Sequence, residues 1–388
     1  MDRKTFFLIA SAGFASMVGM RICDALLPEL SESFQVSTGA AASAISLFVI
    51  AYGVLQLVYG PLGDRYGKQR VITWAVAASA LINLALVFAP SMPAIAALRA
   101  IAGAATAGII PLSMAHIGDS VPYSERQRVL ANFMSATILG MIAGQWMGGL
   151  FADVLNWQAA FVMLALIFGS VALLLLRTLP PKPNMDTHRR GFLSQMASVL
   201  RVAWARRVLV IALIEGAFVF SALVFIPTYL HARFQVPLTA AGAIVALYGV
   251  GGLAYTFFAR RLLGWYGEKG LARIGGGLMG IGFAMLAFGN HWGWSIPACW
   301  IAGLGFYMLH NTLQVNATQM APHARGTAVS LFACSLFLGQ SLGIAAIAAL
   351  VDNYGVAAAF LASMIALPLL GLWFASSVSL RPETATAG

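Results

Sequence analysis

Four ionisable residues interrupt long apolar runs of the chain, and they are the first candidates for chemistry on a proton or a charged ligand. They are Arg21, Asp24, Arg99 and Glu215. Ionisable groups inside membrane-spanning helices are costly and are functional candidates by default. Arg21 and Asp24 are three residues apart, so they would share one face of a helix. We predict that Asp24 binds a proton beside Arg21; the alternative is a permanent bridge that only fixes helix packing.

The other two charges have less obvious partners. Glu215 lies near the start of the predicted span 208–230, a short distance after Arg206 and Arg207 at the end of the predicted linker. It is either a second carboxylate that binds a proton or cation, or an interfacial cap paired with one of these arginines. Arg99 has no carboxylate nearby in its own apolar run. Its partner must therefore come from another helix or from a ligand, unless its role is purely structural.

Uncharged polar residues at helical spacing extend this set. The stretch YMLHNTLQVN, residues 307–316, spaces its polar side chains at three- and four-residue intervals, on one broad helix face. His310 within it is either a titrating group or a bonded contact between helices. The candidates to line a substrate cavity are Met17, Asn132, Gln145, Trp146, Tyr307, His310, Asn311 and Gln314.

The composition shows which kind of element must position these residues. Hydrophobic residues make up 60% of the 388 residues and charged residues only 9%, with a mean hydropathy of +0.84. A soluble domain carries roughly 25% charged residues, so we predict a polytopic membrane protein. The net charge of +10 lies in short breaks between apolar runs, which argues against nucleic acid as a partner. Cys23, Cys299 and Cys334 lie in apolar runs, and no metal site or cofactor is predicted.

Apolar runs of about 20 residues recur along the whole chain, as helical membrane spans require. The hydrophobic pattern predicts twelve of them. The predicted spans are 6–30, 40–62, 71–89, 93–115, 128–151, 157–178, 208–230, 238–260, 271–290, 294–315, 325–350 and 355–378.

The distribution of basic residues predicts the orientation. With the N-terminus inside, all of the 23 lysines and arginines except Arg21, Arg99 and Arg233 fall on the cytoplasmic side or its boundary. The positive-inside rule therefore places both termini in the cytoplasm. We predict a bacterial-type inner (plasma) membrane location.

The two halves of the chain are related by a decayed repeat. A shift of 199 residues brings Gly140 onto Gly339 and Asp153 onto Asp352. We predict two pseudo-symmetric six-helix bundles, an arrangement that places transport sites near the membrane midplane. The predicted domains are an N-terminal bundle over 1–178, a cytoplasmic linker over 179–207 and a C-terminal bundle over 208–388.

A charged and glycine-rich stretch, GPLGDRYGKQR, joins the second and third predicted spans at residues 60–70. Its pattern of glycine, three residues, then Asp-Arg-x-Gly-x-x-Arg resembles the signature loop of the major facilitator superfamily. The residues that carry the resemblance are Gly60, Asp64, Arg65, Gly67 and Arg70.

The resemblance covers the whole chain and implies a secondary transporter that works by alternating access. It also implies that Asp64 latches the two halves in one conformation, with Arg126 as a candidate partner. The alternative is that the charges of the loop only set the membrane topology, which is the preferred interpretation for Lys68.

Three further stretches resemble drug and metabolite antiporters of this superfamily that are driven by protons. They are LRAIAGAATAG at 98–108, GMIAGQWMGG at 140–149, and Asp24 four residues before Pro28. In the exporter helix, proline usually occupies the position of Gln145, and this departure leaves the direction of transport open. By the resemblance, Arg99 assists proton transfer.

These features lead to one preferred function and two alternatives. We predict a monomeric transporter in the lipid bilayer that exports a small organic or amphipathic molecule in exchange for protons. A proton-coupled importer of a metabolite or siderophore is the first alternative, and a receptor or assembly protein without transport activity is the second. The sequence has no nucleophile–base set and no phosphate-binding loop, so neither an enzyme nor an ATP-driven pump is predicted.

Overall fold

The computed structural model describes residues 3–179 and 192–381, and within these ranges the chain is helical without strands. The α-helices are α1 (Arg3–Ser33), α2 (Thr38–Ala41), α3 (Ser43–Tyr66), α4 (Lys68–Val87), α5 (Met92–Thr106), α6 (Ile109–Ser120), α7 (Tyr123–Val154), α8 (Trp157–Leu176), α9 (Phe192–Arg201), α10 (Ala203–Val224), α11 (Ile226–Phe234), α12 (Leu238–Phe288), α13 (Ser295–Gln319), α14 (Arg325–Tyr354) and α15 (Ala357–Ser377).

Ten helical stretches in these described ranges are long and apolar enough to cross a membrane. One of them, α12, covers two predicted spans and contains a backbone break between them at Gly267. Helix α13, with 25 residues, coincides with the predicted span 294–315. The prediction of an all-α integral membrane protein is confirmed, and these helices accommodate twelve spans.

The chain divides into two compact units. The first unit comprises residues 1–188 and 237–242, and the second comprises residues 189–236 and 243–388. The first residues of α12 therefore belong to the first unit. Part of the predicted linker, 180–191, lies outside the described residues; its later part forms α9 and the start of α10.

A close helix contact recurs in the two units. A Cβ added to Gly140 of α7 would overlap the carbonyl oxygen of Phe14 in α1, and one added to Gly339 of α14 would overlap that of Leu213 in α10. The shift of 199 that relates the two glycines also relates Phe14 to Leu213. Small residues let helix backbones approach closely in membranes. The decayed sequence repeat therefore corresponds to the same close helix–helix contact in both units.

A second contact repeats with a shift of 200. Gly103 of α5 lies against the carbonyl of Phe48 in α3, and Gly303 of α13 lies against that of Tyr248 in α12. The contacts of each unit are thus built from the same small residues at matching positions.

The signature stretch forms a shorter connection than the sequence predicts. Helix α3 continues to Tyr66 and α4 begins at Lys68, so Asp64 and Arg65 lie in the last turn of α3 rather than in a loop. Gly67 alone reverses the chain, with φ 92°. Its counterpart Gly267 has φ 60°. Positive φ is costly for residues with a Cβ, which explains the glycine at both positions.

Candidate functional site

Asp24 is the centre of a buried polar cluster in the first unit. Its side chain is 0% exposed and that of Arg21 only 4%. The Gln145 Nε2 group of α7 donates a hydrogen bond of 2.8 Å to Asp24 Oδ2. A guanidinium nitrogen of Arg21 lies 3.6 Å from the same oxygen. The structure therefore adds Gln145, proposed separately as a cavity residue, to the Arg21–Asp24 pair that the sequence predicted.

The packing of α7 on α1 explains how Gln145 reaches the carboxylate. A Cβ on Gly144 would lie 2.8 Å from the carbonyl oxygen of Val18, and one on Gly148 would overlap the carbonyl of Ile22. These glycines bring the two backbones close together. Gln145 follows Gly144 directly, so its amide side chain enters the interface at the level of Asp24.

Arg99 is bonded to backbone and aromatic groups rather than to a carboxylate. It is 1% exposed. Its Nε donates to the carbonyl of Ala44 at 3.2 Å and its Nη1 to the carbonyl of Gly19 at 2.8 Å. The guanidinium carbon lies 4.0 Å from the centre of the Phe48 ring, at cation–π distance. Arg99 of α5 thus bonds both α1 and α3, and its partners do come from other helices.

The second unit contains a separate buried pair. Nδ1 of His310 on α13 lies 2.8 Å from Oε2 of Glu215 on α10. Glu215 is 0% exposed and the imidazole 14%. The sequence left open the alternative that Glu215 pairs with a nearby arginine. Arg206 is not that partner, because it donates to the carbonyls of Leu200 and Arg201.

The other candidate cavity residues are dispersed. Met17, Tyr307 and Asn311 are half-buried, whereas Asn132, Trp146 and Gln314 are exposed. Asn132 is 13 residues from Gln145 on the same helix, or about 20 Å at 1.5 Å per residue. The structure therefore does not bring Asn132 to the Asp24 cluster.

The first residue of α4 forms an ion pair that the sequence analysis missed. Lys68 pairs with Asp119 in the last turn of α6. Arg65 lies over the Tyr66 ring at 5.1 Å. Arg126 donates to the carbonyl of Val121 at 3.4 Å.

Two further carboxylates missed by sequence reasoning cap helix N-termini. Glu29 Oε1 accepts a hydrogen bond of 2.7 Å from the backbone N–H of Trp157 at the start of α8. Asp153 accepts from the backbone N–H groups of Leu238 and Thr239, at 3.0 and 2.7 Å. Carboxylates stabilise helix N-termini. The signal in the sequence was weak, because both carboxylates are distant in the chain from the helices that they cap.

The helical membrane fold, the repeated contacts and the buried ionisable groups define a multi-pass membrane transport protein. The family model described as Major Facilitator Superfamily matches residues 9–344. The chain belongs to this superfamily, whose members transport small molecules and are not enzymes.

Relatives and solved structures agree with this assignment. The chain is 24% identical to the inner membrane transport protein YnfM of Escherichia coli (strain K12), over 93% of this chain and 87% of that protein. It is 22% identical to the bicyclomycin resistance protein homolog of Haemophilus influenzae, over 98% of both chains. The crystal structure of a mutant of the nucleoside transporter NupG superimposes with a TM-score of 0.81 at 15% identity, covering 96% of this chain and 99% of that chain. The D-xylose-proton symporter gives a TM-score of 0.78 at 16% identity, covering 98% of each chain. These two structures share the fold.

Proposed function

We propose that this transporter exports a small organic or amphipathic compound in exchange for protons by alternating access, and that Asp24 is the proton site. The observation that carries the proposal is a fully buried carboxylate held by an amide and a guanidinium from its own unit. A buried charge is retained in a membrane protein mainly where it has a function. The relative with a bicyclomycin resistance name supports export of a drug-like compound.

Gln145 can form a hydrogen bond with Asp24 whether the Asp24 carboxyl group is ionised or protonated. While Asp24 is ionised, the amide N–H donates to Oδ2, as in the structure. Asp24 Oδ1 and Gln145 Oε1 have no hydrogen-bond partner among the described residues. When Asp24 takes up a proton, its O–H can donate to the amide oxygen after the amide rotates. Proline, usual in related exporters, could not do this.

Protonation of Asp24 also changes the charge of its surroundings. The cluster contains Arg21, Arg99 and one carboxylate, so neutralising Asp24 leaves the positive charge of two guanidinium groups uncompensated within the cluster. Arg99 remains bonded to the carbonyls of Ala44 and Gly19. Arg21 loses its ion pair with Asp24, and we assign it the coupling between proton uptake and substrate binding.

We assign the conformational latch to the inner end of α3. Its proposed residues are Gly60, Asp64, Arg65, Gly67, Arg70 and Arg126. The polar face of α13, with Tyr307, Asn311 and Gln314, is proposed to contact substrate together with Met17 and Trp146. We further propose that the protein works as a monomer in a bacterial inner membrane with both termini in the cytoplasm.

The test is proton movement in inside-out vesicles, with bicyclomycin as the first probe and a panel of hits from a ligand-stability screen to follow. Export by antiport predicts that adding substrate outside the vesicles releases protons from the lumen. Substrate uptake without proton movement would contradict antiport.

Proton-coupled import is the second candidate. The observation that favours it is Gln145 at a position where related exporters have proline. Import with protons predicts that substrate and protons leave the inside-out vesicles together, so the same measurement separates the two directions.

A further inference from the structure

The Glu215–His310 pair of the second unit is a complete ion-binding arrangement that the Asp24 mechanism does not use. Its carboxylate is fully buried and its second oxygen, Oε1, has no hydrogen-bond partner among the described residues. The imidazole ring packs against two aromatic rings, and its centre lies 4.8 Å from that of Phe306 and 5.5 Å from that of Phe332. These contacts fix the plane of the ring and therefore the direction of Nδ1 toward Glu215.

The charge of this pair depends on a single proton. With a neutral imidazole that donates Nδ1–H to Oε2, the pair carries one negative charge. An isolated charge in a low-dielectric interior is strongly disfavoured. One proton added at the imidazole Nε2 makes the pair neutral, as an imidazolium–carboxylate pair or, after transfer of the Nδ1 proton to Oε2, as a neutral acid and imidazole. No further reactant is needed.

The imidazole is the more exposed partner of the pair. Glu215 is 0% exposed, whereas His310 retains 14% exposure. A proton that enters and leaves at Nε2 can change the charge at Glu215 without exposing the carboxylate.

Other charged groups on the neighbouring helices lie far along their axes. Helix α14 contacts α10 at the level where Gly216 meets Leu336. Arg325 begins α14 and Asp352 lies near its end, about 16 Å and about 24 Å along the helix from that level. The remaining charged or imidazole groups that the structure describes on the other helices packed against α10 are Arg201 at the end of α9 and His231 and Arg233 in α11. Within the described part of the chain, His310 is therefore the ionisable group in contact with Glu215.

The fold itself does not require the pair. The shifts of 199 and 200 that relate the two units place Ser16 at the position of Glu215 and Ile110 at the position of His310. The first unit makes the equivalent glycine contacts with these residues in place. The carboxylate and the imidazole are thus an addition to a scaffold that packs without them.

We propose that Glu215 and His310 form a second proton-binding site, located within the second unit and independent of Asp24, so that a full cycle moves two protons. The inference rests on the proposed proton-coupled function. It deepens that function by giving a stoichiometry, with one site in each unit.

The experiment measures protonation directly, without a transported substrate. Infrared difference spectra are recorded on the full-length protein in liposomes as the pH is stepped. Among the signals of the 13 acidic residues and six histidines, the expected result is two carboxyl bands and one imidazole signal in the wild type that single variants remove. Asp24→Asn removes one carboxyl band; Glu215→Gln removes the other and shifts the imidazole signal, while His310→Gln removes the imidazole signal and shifts the Glu215 band.

Thr312→Val is the matched control, because Thr312 is buried on α13 and its hydroxyl donates to the carbonyl of Met308 in its own helix. It should keep both carboxyl bands. Thermal unfolding checks each variant for folding, and the two single variants of the pair test the site independently. The proposal is overturned if Glu215→Gln and His310→Gln leave every band unchanged, or if Asp24→Asn removes both carboxyl bands.

Tetraphenylphosphonium at constant pH distinguishes a proton site from a site for an organic cation. Perturbation of the Glu215 band by this probe, without any response of the band to pH, would overturn the proton assignment. The infrared experiment involves no substrate transport, so it tests the second proton site separately from export. If the proposed export is wrong, vesicles release no protons although both carboxyl bands are present.

Discussion

The two units have matching backbone contacts but opposite chemistry at matching positions. In the first unit, a carboxylate, two arginines and an amide are buried together. The corresponding positions in the second unit are buried and apolar. The corresponding residues are Phe220 for Arg21, Leu223 for Asp24, Cys299 for Arg99 and Ile344 for Gln145.

This comparison separates the residues that build the fold from the ionisable groups that we propose to bind protons. Glycines against carbonyl oxygens recur in both units and set the distance between helices. The ionisable groups do not recur, since Asp24 has no acidic counterpart and Glu215 has none either. Each unit thus has its own buried carboxylate, and the two carboxylates occupy different positions along the matching helices α1 and α10.

The turns at Gly67 and Gly267 differ in the same way. Lys68 follows Gly67 and pairs with Asp119. Glu268 follows Gly267 and accepts hydrogen bonds from Arg381, at 3.3 and 3.4 Å, and from Asn316, at 3.4 Å. Both arrangements bind the residue after the turn to the end of another helix, but the signs of charge are reversed.

The largest expected effect is on coupling at Asp24. Asp24→Asn should reduce proton-driven flux to the level of protein-free liposomes, because an amide cannot exchange a proton in this pH range. The measurement is substrate flux under an imposed pH gradient. Asp119→Asn is the control, since it removes an exposed carboxylate of the same unit and should retain flux. Normal pH-dependent flux in Asp24→Asn would remove Asp24 from the mechanism.

Removing the repeated close contact should destabilise both units alike. Gly140→Val and Gly339→Val each force a side chain against a backbone carbonyl, and overpacking of this kind costs typically about 1–3 kcal/mol. Both variants should lower the midpoint of thermal unfolding in detergent by similar amounts.

Gly118→Ala is the control for these variants, because an added Cβ meets no atom within 4 Å there. It should leave stability unchanged or slightly higher. A large loss in only one of the two valine variants would show that the units do not share their packing.

Gln145→Leu should weaken coupling without abolishing it. Loss of a hydrogen bond to a charged group costs about 1.5–3 kcal/mol, so proton-driven flux should fall by roughly tenfold or more. Gln145→Glu offers a sharper comparison, since it keeps a hydrogen-bonding group but adds a second carboxyl beside Asp24. Unchanged flux in Gln145→Leu would contradict the role of the amide in both protonation states.

The smallest effects are expected at the ion pairs beside the turns at Gly67 and Gly267. Asp119→Asn and Arg381→Gln each break a partly exposed ion pair, and such pairs contribute about 0–1 kcal/mol. Arg381→Gln should have the larger effect on thermal unfolding, because Arg381 also bonds buried Asn316. Equal, undetectable shifts at low and high salt would show that neither pair stabilises its unit.

The sequence by itself determined the membrane class, the helical spans, the superfamily and the ionisable groups worth testing. Hydrophobic runs and the positions of lysine and arginine depend only on the transfer of residues into lipid, and the signature stretch is local in the chain. The spacing of Arg21 and Asp24 also predicted their pairing correctly, because both lie on one helix.

Only the tertiary structure decided the partners across helices. Gln145 reaches Asp24 over 121 residues, and His310 rather than Arg206 reaches Glu215 over 95 residues. Helical periodicity shows which face of one helix a residue occupies, but not which helix packs on that face or at what height. Those choices depend on close glycine contacts between backbones distant in the chain, and the partner of each buried charge follows from them.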